Sequence, residues 1–359
     1  MTKYAVFWHS ITRIRKLKLW RIFFERSHFW LRLFLLSLLP IFIISSCSDR
    51  NSQLASNVKR QVVTTECRTI QHALGEACVP NNPKRIVTLG RPSLGNALTL
   101  GIKPIASSFD LERKDEFSSY LKDRVSGIEP VGEQNQPSLE KLLMLKPDLI
   151  VSWQPITAVY PQLSKIAPTT PYNWHGNDDW DSSKESKGIW RDYFNFMAKV
   201  LDKEQAGQQA WEHYYQRIEE LKSALGTRYQ NQTISLVNFC CGEIFSDVKN
   251  SFPGSILNYL GLKRPEAQNI TAPLGFIRFS EETFDKANGD ILFVYSSYDG
   301  ESHLQRLKNN PLWKKLHAVQ QNRVYFVDVS VWRNSDMFAA NAVIDDLYKF
   351  LVQEAKENR

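Results

Sequence analysis

From Arg85 onward the chain alternates between two kinds of pattern. Short runs that are apolar almost throughout, such as Arg85 to Leu89 and Asp290 to Tyr295, lack the polar alternation of a strand with one wet face and read as strands buried on both faces. Such runs fall at 85–89, 104–108 and 148–152, and again at 233–239, 291–295 and 323–327, with segments of helical period between them. Strand and helix in alternation predict parallel, doubly wound α/β sheets. One segment stands apart. Lys203 to Leu225 carries Ala206, Ala210, Trp211, Tyr214, Ile218 and Leu221 at helical spacing, with Gly207 near its start and Gly226 at its end. A helix of that length spans about 34 Å and predicts a stiff strut between two lobes, with its aromatic stripe used for packing.

The pattern repeats within the chain. Ser138-Leu139-Glu140, an apolar helix and Asp148-Leu149-Ile150-Val151 recur as Ser280-Glu281-Glu282, a helix and Asp290-Ile291-Leu292-Phe293-Val294, and in both copies ten positions separate the Ser from the Asp. Upstream of each lies a second shared phrase, Leu100-Gly101-Ile102-Lys103-Pro104 and Leu260-Gly261-Leu262-Lys263-Arg264-Pro265, whose Gly suits a helix C-terminus before a strand. The expected fold class is therefore α/β, two doubly wound (Rossmann-like) lobes joined by one long α-helix, with a ligand cleft between the lobes. The expected boundaries are 84–202 for the N-terminal lobe, 203–226 for the linking helix and 227–359 for the C-terminal lobe.

The first residues have a different composition. Residues 1–46 hold eight basic side chains against Glu25 alone, which accounts for the whole formal charge of +7; the remaining 313 residues carry 37 of each sign. A balanced body has no electrostatic footprint for phosphate backbones, so no nucleic-acid partner is expected. The basic stretch, a predominantly apolar run from Leu33 to Ile44 and then Ser45-Ser46-Cys47 have the layout of a secretory signal, and twelve residues are too few for a membrane span. Ile44-Ser45-Ser46-Cys47 resembles the bacterial lipobox, which implies that Cys47 is lipidated. Residues 1–46 then read as a lipoprotein signal peptide and 47–83 as a polar tether leading into a stapled N-terminal segment. A later start or an uncleaved anchor would leave the body exported and tethered all the same.

Export alters the reading of the cysteines. In an oxidising compartment Cys67 and Cys78 are expected disulfide partners. Adjacent Cys240 and Cys241 are either two free thiols or a vicinal bridge. There is no CxxC pair and no spaced Cys/His cluster, which argues against a structural zinc site.

Together these features resemble the substrate-binding proteins of bacterial ABC importers for ferric siderophores, whose relatives bind vitamin B12 and haem. The resemblance runs from Cys67 to the C-terminus. It rests on His72-Ala73-Leu74-Gly75 leading to Val79-Pro80 and Pro83-Lys84-Arg85-Ile86-Val87, on Gly132 and Pro137-Ser138-Leu139-Glu140-Lys141-Leu142-Leu143, on Lys146-Pro147-Asp148-Leu149-Ile150, on Asn310-Pro311-Leu312-Trp313 before Asn322-Arg323-Val324-Tyr325, and on Trp332 with Ala339-Ala340-Asn341-Ala342-Val343-Ile344-Asp345-Asp346-Leu347.

The resemblance implies a monomeric, lipid-anchored protein on the periplasmic side of the bacterial cell envelope. It would deliver cargo to an ABC permease dimer and its ATPase. It implies no cofactor and no protein-held metal, because the ligand is an Fe(III)-siderophore whose chelator already supplies the iron's oxygen ligands; the protein need offer only aromatic walls and cationic groups. Ligands in such sheets lie beyond the carboxyl ends of the strands. That rule nominates Arg91, Trp153 with Gln154, Phe239, Tyr298 and Trp332 with Arg333, to which Arg278 and Trp174 are added as neighbours of the expected cleft. Glu140 and Glu282, equivalent in the two halves, are the expected contacts with the permease, with Glu281 the competitor to Glu282.

Other functions are weighed against this one. The same importer role could carry haem, cobalamin or a divalent metal, although a zinc or manganese binder needs converging ligands and the body offers only His72, His175, His213, His303 and His317. An exported enzyme on the same fold is the second alternative, and the chain has no GxSxG, GxGxxG or GxxxxGK[ST] signature. A tethered structural protein without a small ligand is the third.

Overall fold

The apolar runs become two five-stranded sheets. The structure, a computed structural model, describes residues 67–109, 117–172, 189–240, 242–297 and 301–353, and Thr64–Arg359 forms one compact unit. The expected lipidation site Cys47, the nominated Trp174 and Tyr298, and Cys241 lie outside the described residues.

Cys67–His72 (β1) and Gly75–Pro80 (β2) make an antiparallel hairpin, and a disulfide joins Cys67 to Cys78 with their Cα atoms 5.4 Å apart. Arg68 fastens this hairpin to the body, donating to the carbonyls of Lys199 at 2.7 Å and Val200 at 2.9 Å. The N-terminal sheet is built from Ile86–Leu89 (β3), Ala106–Ser107 (β4), Glu129–Pro130 (β5), Leu149–Ser152 (β8) and Thr169–Pro171 (β9), all parallel, in the order β5-β4-β3-β8-β9. The short hairpin of Gly132–Glu133 (β6) and Gln136–Pro137 (β7) stands beside it. β3 and β8 are buried along their whole length, which explains their lack of polar alternation.

The C-terminal sheet contains Ile234–Cys240 (β10), Glu243–Asp247 (β11), Phe276–Phe279 (β12), Ile291–Ser296 (β13) and Val324–Phe326 (β14), in the order β12-β11-β10-β13-β14. Here the expectation of a wholly parallel sheet needs correction. β10, β13 and β14 are parallel, but β11 runs antiparallel to both β10 and β12. The reason is local: Cys240 pairs with Glu243, so two residues make the connection, and a connection that short can only build a hairpin.

The helices are Arg91–Thr99 (α1), Leu139–Leu145 (α2), Tyr160–Ile166 (α3), Ile189–Val200 (α4), Glu204–Leu225 (α5), Phe252–Tyr259 (α6), Glu301–Lys308 (α7), Pro311–Lys315 (α8), His317–Gln320 (α9), Val329–Trp332 (α10) and Met337–Tyr348 (α11). The linking helix α5 is present, but it is more than a strut. Its buried Tyr214, Ile218, Leu221 and Leu225 belong to one continuous core that includes Ile86 and Leu149 of the first sheet, Leu236 and Phe293 of the second, and Ala340 and Val343 of α11. The lobes therefore share a core beneath their junction.

The internal repeat is visible in backbone bonds. Gly101 N–H donates to Leu98 and Ile102 N–H to Ala97, while Gly261 N–H donates to Asn258 and Leu262 N–H to Leu257, the same bonds one repeat later. Both glycines have φ near +70°, a left-handed conformation that ends a helix cheaply only without a Cβ. The paired aspartates also match. Asp148 accepts from the N–H groups of Lys84 and Arg85 at 2.7 and 2.9 Å, and Asp290 accepts from Thr233 N–H and Oγ1 at 2.6 and 3.0 Å. Each carboxylate thus clamps the start of the neighbouring strand.

Candidate ligand site

The lobes meet along a seam of side-chain hydrogen bonds. Ser119, in a 3₁₀ turn (Ser119–Arg124) that lies between β4 and β5, donates to Asp328 Oδ2 at 3.1 Å, and Asp328 lies two residues beyond β14. The connection that follows β4 and the residues just beyond β14 thus meet across the lobes, and ligands of parallel α/β sheets are held beyond the carboxyl ends of the strands.

On the N-terminal side the chain leaves β3 at Gly90 and Arg91 opens α1, half-buried. Trp153 follows β8 and Tyr172 follows β9. Their rings lie nearly parallel with centroids 6.1 Å apart, and Trp153 also meets the buried Tyr193 edge-on at 4.7 Å. Tyr172 in turn contacts Tyr193 at 5.1 Å and Phe196 at 5.2 Å. The result is an aromatic shelf, anchored from below by a 2.5 Å hydrogen bond between the hydroxyls of Tyr193 and Ser93. Burial raises the Tyr172 and Tyr193 phenols well above their ordinary range, so both stay neutral. Next to the shelf, Gln154 lines a cavity of ≈ 430 Å³ with Asn135, Pro155, Ile156, Thr157, Ala158 and Val159.

On the C-terminal side Arg333 closes α10 and is half-buried. Behind it lies a polar cluster. The Tyr295 hydroxyl donates to Asp247 Oδ2, and the buried Arg264 donates to the carbonyls of Ile234 and Asp247 and to Gln268 Oε1. Burial pushes the Asp247 carboxyl up, opposed by the Tyr295 hydroxyl bond and then by the Arg333 charge. Burial also lowers the Arg264 guanidinium, to about 10.

Two nominated residues do not face the seam. Trp332 is fully buried, stacks on Phe293 at 4.9 Å and donates Nε1–H to Asp346 Oδ2 at 2.8 Å. Phe239 is also fully buried and packs against Phe284 on the outer side of its sheet. The physical reason is alternation: along β10, Val237 and Phe239 face the outer cluster while Leu236 faces the shared core. Arg278, on the edge strand β12, is 68% exposed, bonds Glu243 at 3.2 Å and lies over the Phe245 ring. Arg91 and Trp153 thus lie just past β3 and β8, Arg333 lies at the end of α10 beyond β14, and Arg278 stays on the sheet edge.

Glu140 and Glu282 are both exposed in the first turn of their helices. The Glu282 carboxyl is held below its ordinary range by the Ser280 hydroxyl and its own backbone N–H. Sequence reasoning missed Tyr172, Asp247 and Asp336. Tyr172 was within reach of the strand-end rule had β9 been recognised, whereas nothing in the sequence marks either aspartate.

Among the described residues no group of three or more His, Cys, Asp or Glu is placed to hold a metal ion. Comparison with known proteins gives a consistent picture. A family model described as "Periplasmic binding protein" matches residues 86–330. The probable siderophore-binding lipoprotein YfiY of Bacillus subtilis is 31% identical over 88% of this chain and 96% of its own length. The Fe(3+)-citrate-binding protein YfmC of the same organism is 29% identical over 82% of this chain and 88% of its own. Among solved structures, Staphylococcus aureus SirA complexed with staphyloferrin B superposes with a TM-score of 0.66 at 28% identity, covering 79% of this chain and 98% of that one.

Proposed function

Because the chain belongs to the periplasmic binding protein family, we propose that it captures a ferric siderophore at the seam between its lobes and delivers it to an ABC importer for iron uptake. The observation that supports this reading is a neutral aromatic shelf headed by Trp153, with Arg91 just past β3 in the same lobe and Arg333 at the end of α10, beyond β14, in the other. A ferric chelate is a flat-sided, often anionic body with its metal already coordinated, so rings and guanidiniums are the groups it needs. The names of the relatives point to the same cargo. In this reading the chain works in the bacterial cell envelope, lipid-anchored through Cys47 on the periplasmic side. Glu140 and Glu282, equivalent in the repeat, meet the two halves of the permease.

The test is a tryptophan-fluorescence titration of the full-length protein with ferric and iron-free citrate-type, hydroxamate and catecholate siderophores. We expect saturable quenching by one ferric class and little by its iron-free form. Arg333→Ala and Arg91→Ala should each raise Kd at least tenfold, about 1.4 kcal/mol. Equal binding of ferric and iron-free forms, or unchanged Kd in both variants, would overturn the reading.

A further inference from the structure

Asp336 occupies an unusual place. It is fully buried, it begins α11 in the C-terminal lobe, and its Oδ1 caps that helix by accepting from Ala339 N–H at 2.8 Å. Its other oxygen accepts from the hydroxyl of Tyr120, which belongs to the N-terminal lobe, and from Asn334 Nδ2 at 3.0 Å. Asn334 is itself 1% exposed and also donates to Tyr120 Oη and, at 3.5 Å, to Ser118 Oγ. One residue on, the Met337 N–H donates to Asn96 Oδ1 of α1 at 3.2 Å. The floor beneath the carboxylate is Gly95 of α1, where any Cβ would overlap its oxygens. Every one of these partners except Asn334 and the helix amide lies across the seam.

We propose that Asp336, seated on Gly95 and bonded to Tyr120, is the pin of a latch between the two lobes, and that parting the lobes releases the pin into water. The bonds involved are few and directional, and although Ala97, Leu100, Met337 and Ala340 beside them belong to the shared core, a small parting at Gly95 and Tyr120 leaves the rest of that core, from Leu149 to Phe293, to hold the molecule folded. The groups acting on the carboxyl are burial, then the Tyr120 hydroxyl, then the amides of Ala339 and Phe338. Tyr120 is the titratable group that faces it from the 3₁₀ turn, and α1 offers only Gly95 and Asn96. The charged residues of the same elements, Arg91, Lys122, Asp123, Arg124, Arg333, Asp345 and Asp346, and Arg217 of α5, which bonds Asp345, are not among the influences on it. Burial dominates and raises the carboxyl to about 6 in the latched state. In the open state it returns to the ordinary carboxylate range near 4. The latched state therefore holds its proton more tightly, so acid favours latching, and opening becomes easier as pH rises through 4 to 6.

The experiment is hydrogen exchange followed by mass spectrometry on the full-length protein from pH 5 to pH 8, with each rate corrected for the intrinsic chemical rate. Segments 95–101 and 336–342 report on the latch, and 291–296 reports on global unfolding. In the wild type we expect protection of the latch segments to fall about tenfold between pH 5 and pH 8 while 291–296 is unchanged. Asp336→Asn should abolish that slope. Tyr120→Phe, which removes the cross-lobe bond and keeps the helix cap, should lower protection severalfold at every pH and keep the slope. A flat wild-type profile, an unaltered slope in Asp336→Asn, or Tyr120→Phe with wild-type protection would overturn the proposal. None of these readouts involves ligand, so failure here leaves the transport reading untouched, and the reverse holds as well.

Discussion

At the scale of single residues, most of what matters at the seam depends on partners far away in sequence. Gly95 is the clearest case. It lies in the middle of α1, where helix propensity alone would favour Ala by roughly 1 kcal/mol. The structure reverses that preference, because a methyl group there meets a carboxylate that Tyr120 and the Ala339 amide hold in place. Gly95→Ala is accordingly expected to destabilise the protein by about 1–3 kcal/mol, read as a lowered urea midpoint with an unchanged denaturant slope. Asp336 itself was illegible in the sequence, since the residue that explains it lies 216 positions away. Trp332 illustrates the opposite difficulty. Its place after the last strand was readable, but which way its ring points was decided by Phe293 and Asp346, and these turn it inward.

At the scale of elements, legibility followed burial. β3, β8, β10 and β13 were readable because strands covered on both faces leave uninterrupted apolar runs. β4 and β5 have two residues each, too few to carry a period, β11 is a partly exposed strand whose pairing is set by its short connection to β10, and β12, also partly exposed, joins it only after α6. The repeat was legible through its polar punctuation, and its caps can be weighed against one another. Ser138 accepts from the Lys141 amide at 3.3 Å, while Ser280 forms a reciprocal pair with Thr283. Ser138→Ala should cost about 1 kcal/mol in a thermal or urea melt, and Ser280→Ala about as much, because each removes one hydroxyl acceptor while the bond from the residue 280 N–H to Thr283 Oγ1 survives. A melt unchanged by either substitution would contradict this.

At the scale of the whole molecule, two lobes on a shared core behave differently from two bodies on a hinge. The core that runs through α5 and α11 leaves only small relative movements accessible, and a latch of a few hydrogen bonds can govern those. The hairpin at the start of the body is held in a different manner, by one covalent closure and by Arg68. The disulfide encloses a sequence separation of 11, for which loop entropy gives a contribution of about 3 kcal/mol. Replacing both cysteines, Cys67→Ala with Cys78→Ala, should lower the melting temperature by several degrees, read in a thermal melt, while the Ala73 N–H bond to the Pro171 carbonyl still ties the hairpin turn to β9.

Cys67 is also the point at which a pull from the preceding residues would enter the body. Such a load would be shared between the covalent loop and the two bonds from Arg68 to the last turn of α4, immediately ahead of the long helix. Force applied there is thus taken up first by the hairpin and the end of α4, before it reaches the core that both lobes share.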